Sequence, residues 1–356
     1  MGDLKRAVMT AAVTCTVLGG LAAPAAAGET GRSRAAADDV GERLFRFKDK
    51  RITESSGLAV SPTHDGVYYT HNDSSAAPVF YAVGGDGRTR ATFHVSGAQA
   101  RDWEAMAATK DPATGRGVLW FADIGDNLDG AWPDVSVYKV TEPETLRDAT
   151  LPAVRYRFRY QDGARNAEGL MVHPVTGRLY VVSKEFAGSV YAAPAKLRTG
   201  RVNVLRKVAA APLMATDAAY APDGSSYVIR TYFSATVYRP NGDMIAKMSM
   251  PELDQAESIT YTADGRSVLV GSEGASSPVY RVPLPAEALR GVKASARPSA
   301  TPSARASRRA AGTASARPEA SGGGAERGLT VRDVLIWLAA AAGATGLITY
   351  IARRTR

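Results

Sequence analysis

At 356 residues the chain can hold one large domain or two smaller ones, and 45% of its residues are apolar, enough for a sizeable core. Its formal net charge of +9 lies wholly in the first 27 residues and beyond residue 290. The stretch between is electrically balanced, so nucleic-acid binding is not expected of it. The one cysteine, Cys15, falls in the leading segment, which excludes a disulfide framework or a thiol site from the rest.

Residues 1–27 read as a secretory signal peptide. Lys5 and Arg6 supply the positive start, Ala7 to Leu21 the apolar run, and Ala25-Ala26-Ala27 the small-residue cleavage site. Residues 28–42 are small and polar, a flexible leader.

Residues 43–288 carry an internal repeat. Five stretches open with an acid: ESSGLAVS at Glu54, DWEAMAAT at Asp102 to Glu104, AEGLMVHP at Glu168, ATDAAYAP at Asp217 and AESITYTA at Glu257. Each is followed by a second apolar run, as in GVLWFAD from Gly117 or GRLYVVS from Gly177. A third run centres on an aromatic residue: Tyr81, Tyr138, Tyr191, Tyr238 and Tyr280. A weaker fourth closes most units. Short runs bounded by Pro/Gly turns are hairpin signals, and four strands per roughly 40–50 residues is the signature of a β-propeller. The longest step, from Glu104 to Glu168, is ascribed to long connections around Asp123 to Asp134 and Glu142 to Pro152. The fifth unit lacks a fourth strand of its own, and Arg43 to Lys48 lies ahead of the first unit without one. That segment is expected to supply the missing strand and close the ring, which removes two exposed sheet edges. The expected fold is an all-β propeller of five blades, with six as the alternative if a degenerate blade hides in the long second unit.

Residues 289–329 are almost wholly Ala, Ser, Arg, Pro, Gly and Thr, and cannot bury enough surface to offset their ordering entropy; they read as a disordered linker or stalk. Residues 330–352 read as a single transmembrane helix. Its uncharged part, Val334 to Ala352, would span about 28 Å at about 1.5 Å per residue. Trp337 and Tyr350 sit near its ends, and residues 353–356 form a basic tail expected on the cytoplasmic side. The expected topology is a propeller outside the cell, tethered to its membrane.

In a propeller the first strand of each blade lines the central channel. Equivalent placement would bring Glu54, Glu104, Glu168, Asp217 and Glu257 to one axis, where five carboxylates cannot all stay ionised without a counter-charge. A hard cation with about six to eight oxygen ligands answers this, and Ca²⁺ fits better than the small, octahedral Mg²⁺. The alternative reading is that these acids bond backbone amides of adjacent blades and organise the repeat. The ends of the second strands lie on the same face and are polar. They offer Asn72, Asp73, Asp123, Asp126, Lys184, Glu185, Arg230 and Glu273, with Asp102 beside them, as a ring of binding residues at the channel mouth. Asn-Asp and Glu-Gly pairs are also ordinary turn residues. No G-x-S-x-G, HExxH, P-loop or dinucleotide fingerprint is present, so catalysis here would be metal-assisted or carboxylate-based.

With E-S-S-G-L-A at 54–59, A-E-G-L-M-V at 167–172, G-R-L-Y-V-V-S-K at 177–184 and A-E-S-I at 256–259, the repeat region resembles the secreted bacterial β-propellers of the calcium-dependent lactonase, phytase-like and nucleotidase-like superfamily. The resemblance implies an axial Ca²⁺ site on the five acids. Two functions follow from these expectations. One is a binding module that holds a cell-wall component, a surface protein or a small anionic ligand. The other is a metal-dependent hydrolase of a phosphoester or lactone, with Lys184 and Arg230 clamping an anionic group and Asp123 or Asp126 as base.

Overall fold

In the computed structural model the chain divides into two units, residues 1–297 and 298–356. The structure describes residues 40–73, 77–128 and 130–290, all within the first. The expected signal peptide, linker beyond residue 290, membrane span and basic tail lie outside the described residues. Among the described residues no helix is long and apolar enough to cross a membrane; the only α-helix is α1 (Ala286–Leu289).

The described chain is a β-propeller of twenty strands. After β1 (Glu42–Arg46) come β2 (Ser55–Val60), β3 (Val67–Asn72), β4 (Val79–Gly84) and β5 (Thr89–Ser96). The second group is β6 (Trp103–Lys110), β7 (Gly117–Asp123), β8 (Val135–Thr141) and β9 (Ala149–Tyr160). The third is β10 (Ala167–Val172), β11 (Leu179–Ser183), β12 (Ser189–Ala192) and β13 (Asn203–Ala210). The fourth is β14 (Ala215–Tyr220), β15 (Tyr227–Thr231), β16 (Ser234–Tyr238) and β17 (Met244–Ser249), and the last strands are β18 (Ala256–Tyr261), β19 (Ser267–Ser272) and β20 (Pro278–Pro283). Within each group successive strands pair antiparallel. The last group has three strands of its own, and β1 completes it by pairing antiparallel with β20.

The turns follow from the sequence. In the β10–β11 hairpin, Pro174-Val175-Thr176-Gly177 reverses the chain: Gly177 N donates to His173 O at 2.8 Å, with Gly177 at φ 66, where a side chain would strain the backbone.

Side chains alternate along each strand, so each sheet serves two neighbours. On β7, Leu119 and Phe121 enter the apolar cluster shared with the first unit, while Val118, Trp120 and Ala122 enter the one shared with the third. Five such clusters fill the five junctions between successive units. One of them joins Leu269 and Val279 of the last unit to Leu58, Tyr81 and Val83 of the first through Phe45 and Phe47. Trp103, 1% exposed, stacks on Phe121 at 4.9 Å between centroids; burying an aromatic of this kind stabilises by about 1.5–3 kcal/mol. The first strands β2, β6, β10, β14 and β18 touch one another in cyclic order and form the innermost layer.

The extra residues of the second unit extend its outer strand. β9 is 12 residues long, and its two ends pair parallel with β5 of the first unit and β13 of the third.

Candidate functional site

Every first strand has an irregularity in its pairing near its start, and this fixes which side chains face the axis. The register breaks between Ser55 and Gly57, Trp103 and Ala105, Ala167 and Gly169, Ala215 and Asp217, and Ala256 and Ile259. A β-bulge re-aims the residue it inserts. The residues at the equivalent step are Ser56, Glu104, Glu168, Thr216 and Glu257, all buried. The inner ring therefore has three acids and two hydroxyls, not five acids.

Glu54 and Asp217 fall outside that ring. Glu54 lies two residues ahead of Ser56 and is exposed; its N–H donates to Asn72 Oδ1 at 3.2 Å. Asp217 lies one residue beyond Thr216 and is fully buried. Its carboxylate accepts N–H bonds from Ala218 at 2.7 Å and from Ile259 in the next unit at 2.8 Å. This is the arrangement of the alternative reading, an acid bonded to an adjacent blade's backbone. Burial pushes its pKa well up, opposed by those two amides.

The tightest carboxylate group combines one inner-ring acid with two residues from the mouth. Asp73, Asp102 and Glu104 each place an oxygen within 4.8 Å of the others. Asp73 follows β3, and its N–H is fixed to Glu54 O at 2.9 Å. Asp102 precedes β6, and its N–H is held by Asp123 Oδ1 at 2.8 Å. Gly125 makes room for the group: a Cβ there would land on Glu104 Oε1 and Asp102 Oδ2. Burial raises the Asp102 carboxyl to about 7, with Asp73 and Asp123 adding to the effect. Burial also raises Glu104, followed by Glu168 and Asp73.

Behind this group Lys184 Nζ donates to Glu168 Oε1 at 2.5 Å and lies over the Tyr232 ring at 5.1 Å. Burial opposes the charge on Lys184, but Glu168 and Glu257 outweigh it and hold its pKa above the ordinary lysine value. Glu257 Oε2 is buried and finds no hydrogen-bond partner among the described residues. Burial raises its pKa against the pull of Lys184 and Arg230. Glu273, at the rim, is raised to about 8, first by burial and then by Glu257 and Asp73. Six carboxyls thus share one mouth with two cations, Lys184 and Arg230.

The other expected mouth residues have different tasks. Arg230 is fully buried, and its Nη1 donates to Ser258 O at 2.6 Å and Gly271 O at 2.8 Å. It is a buried counter-charge to Glu257 and Asp217, not a surface clamp, and burial lowers its pKa to about 10. Lys184 is likewise committed to Glu168. Glu185 turns away to Arg165 at 3.1 Å. Asn72 bonds Thr53 N, Glu54 N and Arg51 O, a turn role. Both proposed bases hold backbone amides. Asp123 holds the Asp102 amide, and Asp126 accepts from Ala131 N at 3.1 Å and Trp132 N at 2.9 Å.

The donors fit a hard divalent cation. All are carboxylate oxygens, they converge within 4.8 Å, and Gly125 leaves the space a side chain would take. Glu257 Oε2 is buried without a hydrogen-bond partner among the described residues, as are Nε and Nη2 of its counter-charge Arg230.

No protein-family model and no curated protein matches the chain. Among solved structures it is similar to XC5397 from Xanthomonas campestris, described as a gluconolactonase important in glucose secondary metabolic pathways. The identity is 16%, the TM-score 0.42, and the match covers 65% of this chain and 72% of that one. It is also similar to U3-55K, at 10% identity and a TM-score of 0.38, over 68% of this chain and 100% of that one. At these values the likenesses carry nothing about chemistry.

Proposed function

We propose that the chain is a five-bladed propeller that binds a hard divalent cation, Ca²⁺ before Mg²⁺, at Asp73, Asp102 and Glu104, and presents it at the channel mouth as a ligand-binding module. The convergence of those three carboxylates over Gly125 carries the reading. The bound ion would leave coordination positions for an oxygen-bearing ligand, such as a carboxylate or phosphate of a small molecule or surface partner. The signal peptide and membrane span read from the sequence would set the module on the outer side of a membrane.

Metal content and melting of the purified protein, with and without chelator, test this. One bound Ca²⁺ per chain, with a lower melting temperature after chelation, is the expected result. A metal-free protein whose melting ignores both Ca²⁺ and chelator overturns it.

The second reading is metal-assisted hydrolysis of an ester, lactone or phosphoester, favoured by Asp102. Burial holds this carboxyl at about 7 in the ion-free protein, and a bound cation would ionise it and keep it as a ligand that fixes the ion against the substrate. The cation would polarise the substrate oxygen. Turnover of lactone or phosphoester substrates that disappears in Asp102→Asn, with the fold intact, would select this reading over the binding module.

A further inference from the structure

We propose that an off-axis cleft in the second unit is a binding subsite for a single pyranose ring, preferentially one bearing a carboxylate. The cleft has a volume of about 270 Å³ and is walled by residues 132–135, 158–161 and 163–165. It opens on the same face as the carboxylates, since Val135 opens β8 beside Phe158 near the end of β9, while Asp123 at the end of β7 holds Asp102. Its volume is below the roughly 300–1,000 Å³ of sites for drug-sized ligands, so it suits one ring and not an extended chain.

Both walls are built structures. Asp126 accepts the Trp132 N–H at 2.9 Å, and its own N–H donates to Asn166 Oδ1 at 2.9 Å. Asn166 Nδ2 in turn donates to Asn127 Oδ1 at 2.9 Å, lacing the two loops together. Trp132 is half-buried, and the Arg101 guanidinium lies 4.3 Å from its ring centroid. Arg101 is not among the cleft residues, so it props the indole from outside the cleft. Tyr160 also lines the cleft and is 6% exposed, and its hydroxyl finds no partner among the described residues.

The lining selects the ligand. An indole supplies a flat platform for the apolar face of a sugar, and Gln161 and Arg159 supply directed donors for its oxygens. Most charges are already spent. Asp134 pairs with Arg157 at 3.4 Å, and Arg165 pairs with Asp162 at 3.0 Å and Glu185 at 3.1 Å. Arg159 is exposed and has no ion-pair partner among the described residues. One free guanidinium favours a ring with one carboxylate; a polyanion would need several free cations.

Titration of the full chain with glucose and with glucuronate, read by calorimetry and tryptophan fluorescence, tests the assignment. Glucuronate is expected to bind saturably and more tightly than glucose. Trp132→Ala should weaken both by about tenfold or more, and Arg159→Ala should remove the preference for glucuronate. Arg159 is exposed, so its variant keeps the test open if Trp132→Ala misfolds. Binding should survive a chelator, which separates this cleft from the cation site. Failure of both sugars to bind, binding unchanged in both variants, or binding abolished by chelation would each overturn the proposal.

Discussion

Lys184 Nζ sits 2.5 Å from Glu168 Oε1, with the Glu168 side chain 4% exposed and that of Lys184 14%. One comes from the irregular start of β10 and the other directly follows β11, so the hairpin itself builds the pair. Removing one partner of a buried ion pair leaves an uncompensated charge, at a cost of about 3–5 kcal/mol. Lys184→Met is therefore expected to destabilise by about 3 kcal/mol in denaturant unfolding at neutral pH. Added Ca²⁺ should recover part of that loss, because the cation replaces missing positive charge at the same mouth. A variant as stable as the parent would show that Glu168 does not depend on Lys184.

The mouth also sets a pH dependence. Asp102 at about 7 and Glu273 at about 8 bind protons more tightly folded than unfolded. As pH rises from the unfolded carboxyl values toward these, the unfolded chain ionises first and stability falls. His71 works the opposite way: burial lowers it to about 4, so its contribution to stability rises with pH until its unfolded value of about 6.5. Between about pH 6.5 and 8 only the carboxyl effect remains among these groups. The chelated protein is expected to melt at a lower temperature at pH 8 than at pH 6.5. Glu273→Gln should flatten that slope, and saturating Ca²⁺ should raise melting more at pH 8. A flat profile for the chelated parent would count against raised carboxyls.

Gly125→Ala tests the space over which Glu104 and Asp102 lie. The new Cβ must displace both carboxylates, a strain of about 1–3 kcal/mol. Calcium affinity measured by calorimetry should drop with it. Unchanged affinity would mean that the three carboxylates do not act as one site.

Asp126→Ala separates a structural acid from a catalytic one. The Leu128, Ala131 and Trp132 amides lose their acceptor, at a cost of about 1–3 kcal/mol in denaturant unfolding. Calcium binding should persist, since Asp126 is not one of the three converging carboxylates. Loss of the cation with stability intact would reverse these assignments.

Much of the architecture could be read from the chain. Turn residues, alternation and the recurring tyrosines set out the strands, and the unassigned stretch at Arg43 to Lys48 pointed to the β1–β20 pairing. The site was harder to read, because an acid at the start of a strand says little about direction until the register is known. Asp217 keeps the sequence pattern yet misses the inner position by one residue, which turns its side chain to the other face, and Glu54 misses it by two and lies ahead of β2, where it is exposed. A signal was available. Aligning SSGLAV, WEAMAA, AEGLMV, ATDAAY and AESITY by their apolar tails puts Ser56, Glu104, Glu168, Thr216 and Glu257 in one column. Asp73 is legible as a mouth residue but not as a neighbour of Glu104: Asn-Asp after a strand also looks like any turn, and its field on Asp102, Glu104 and Glu273 arises only once the units are brought together.

The long strand β9 makes the molecule uneven in how it would come apart. Through β5 and β13 it stitches three units into one hydrogen-bonded fabric. Among the described residues, β17 pairs only with β16 and β1 only with β20, so no strand ladder crosses the remaining seams, which side chains and single backbone bonds such as Gly274 N–H to Thr53 O at 2.9 Å hold instead. Backbone amides along those seams can open without tearing a shared sheet. In hydrogen exchange the first three units should behave as a single protected block. The fourth and fifth would breathe independently, and release of β1 would begin the opening.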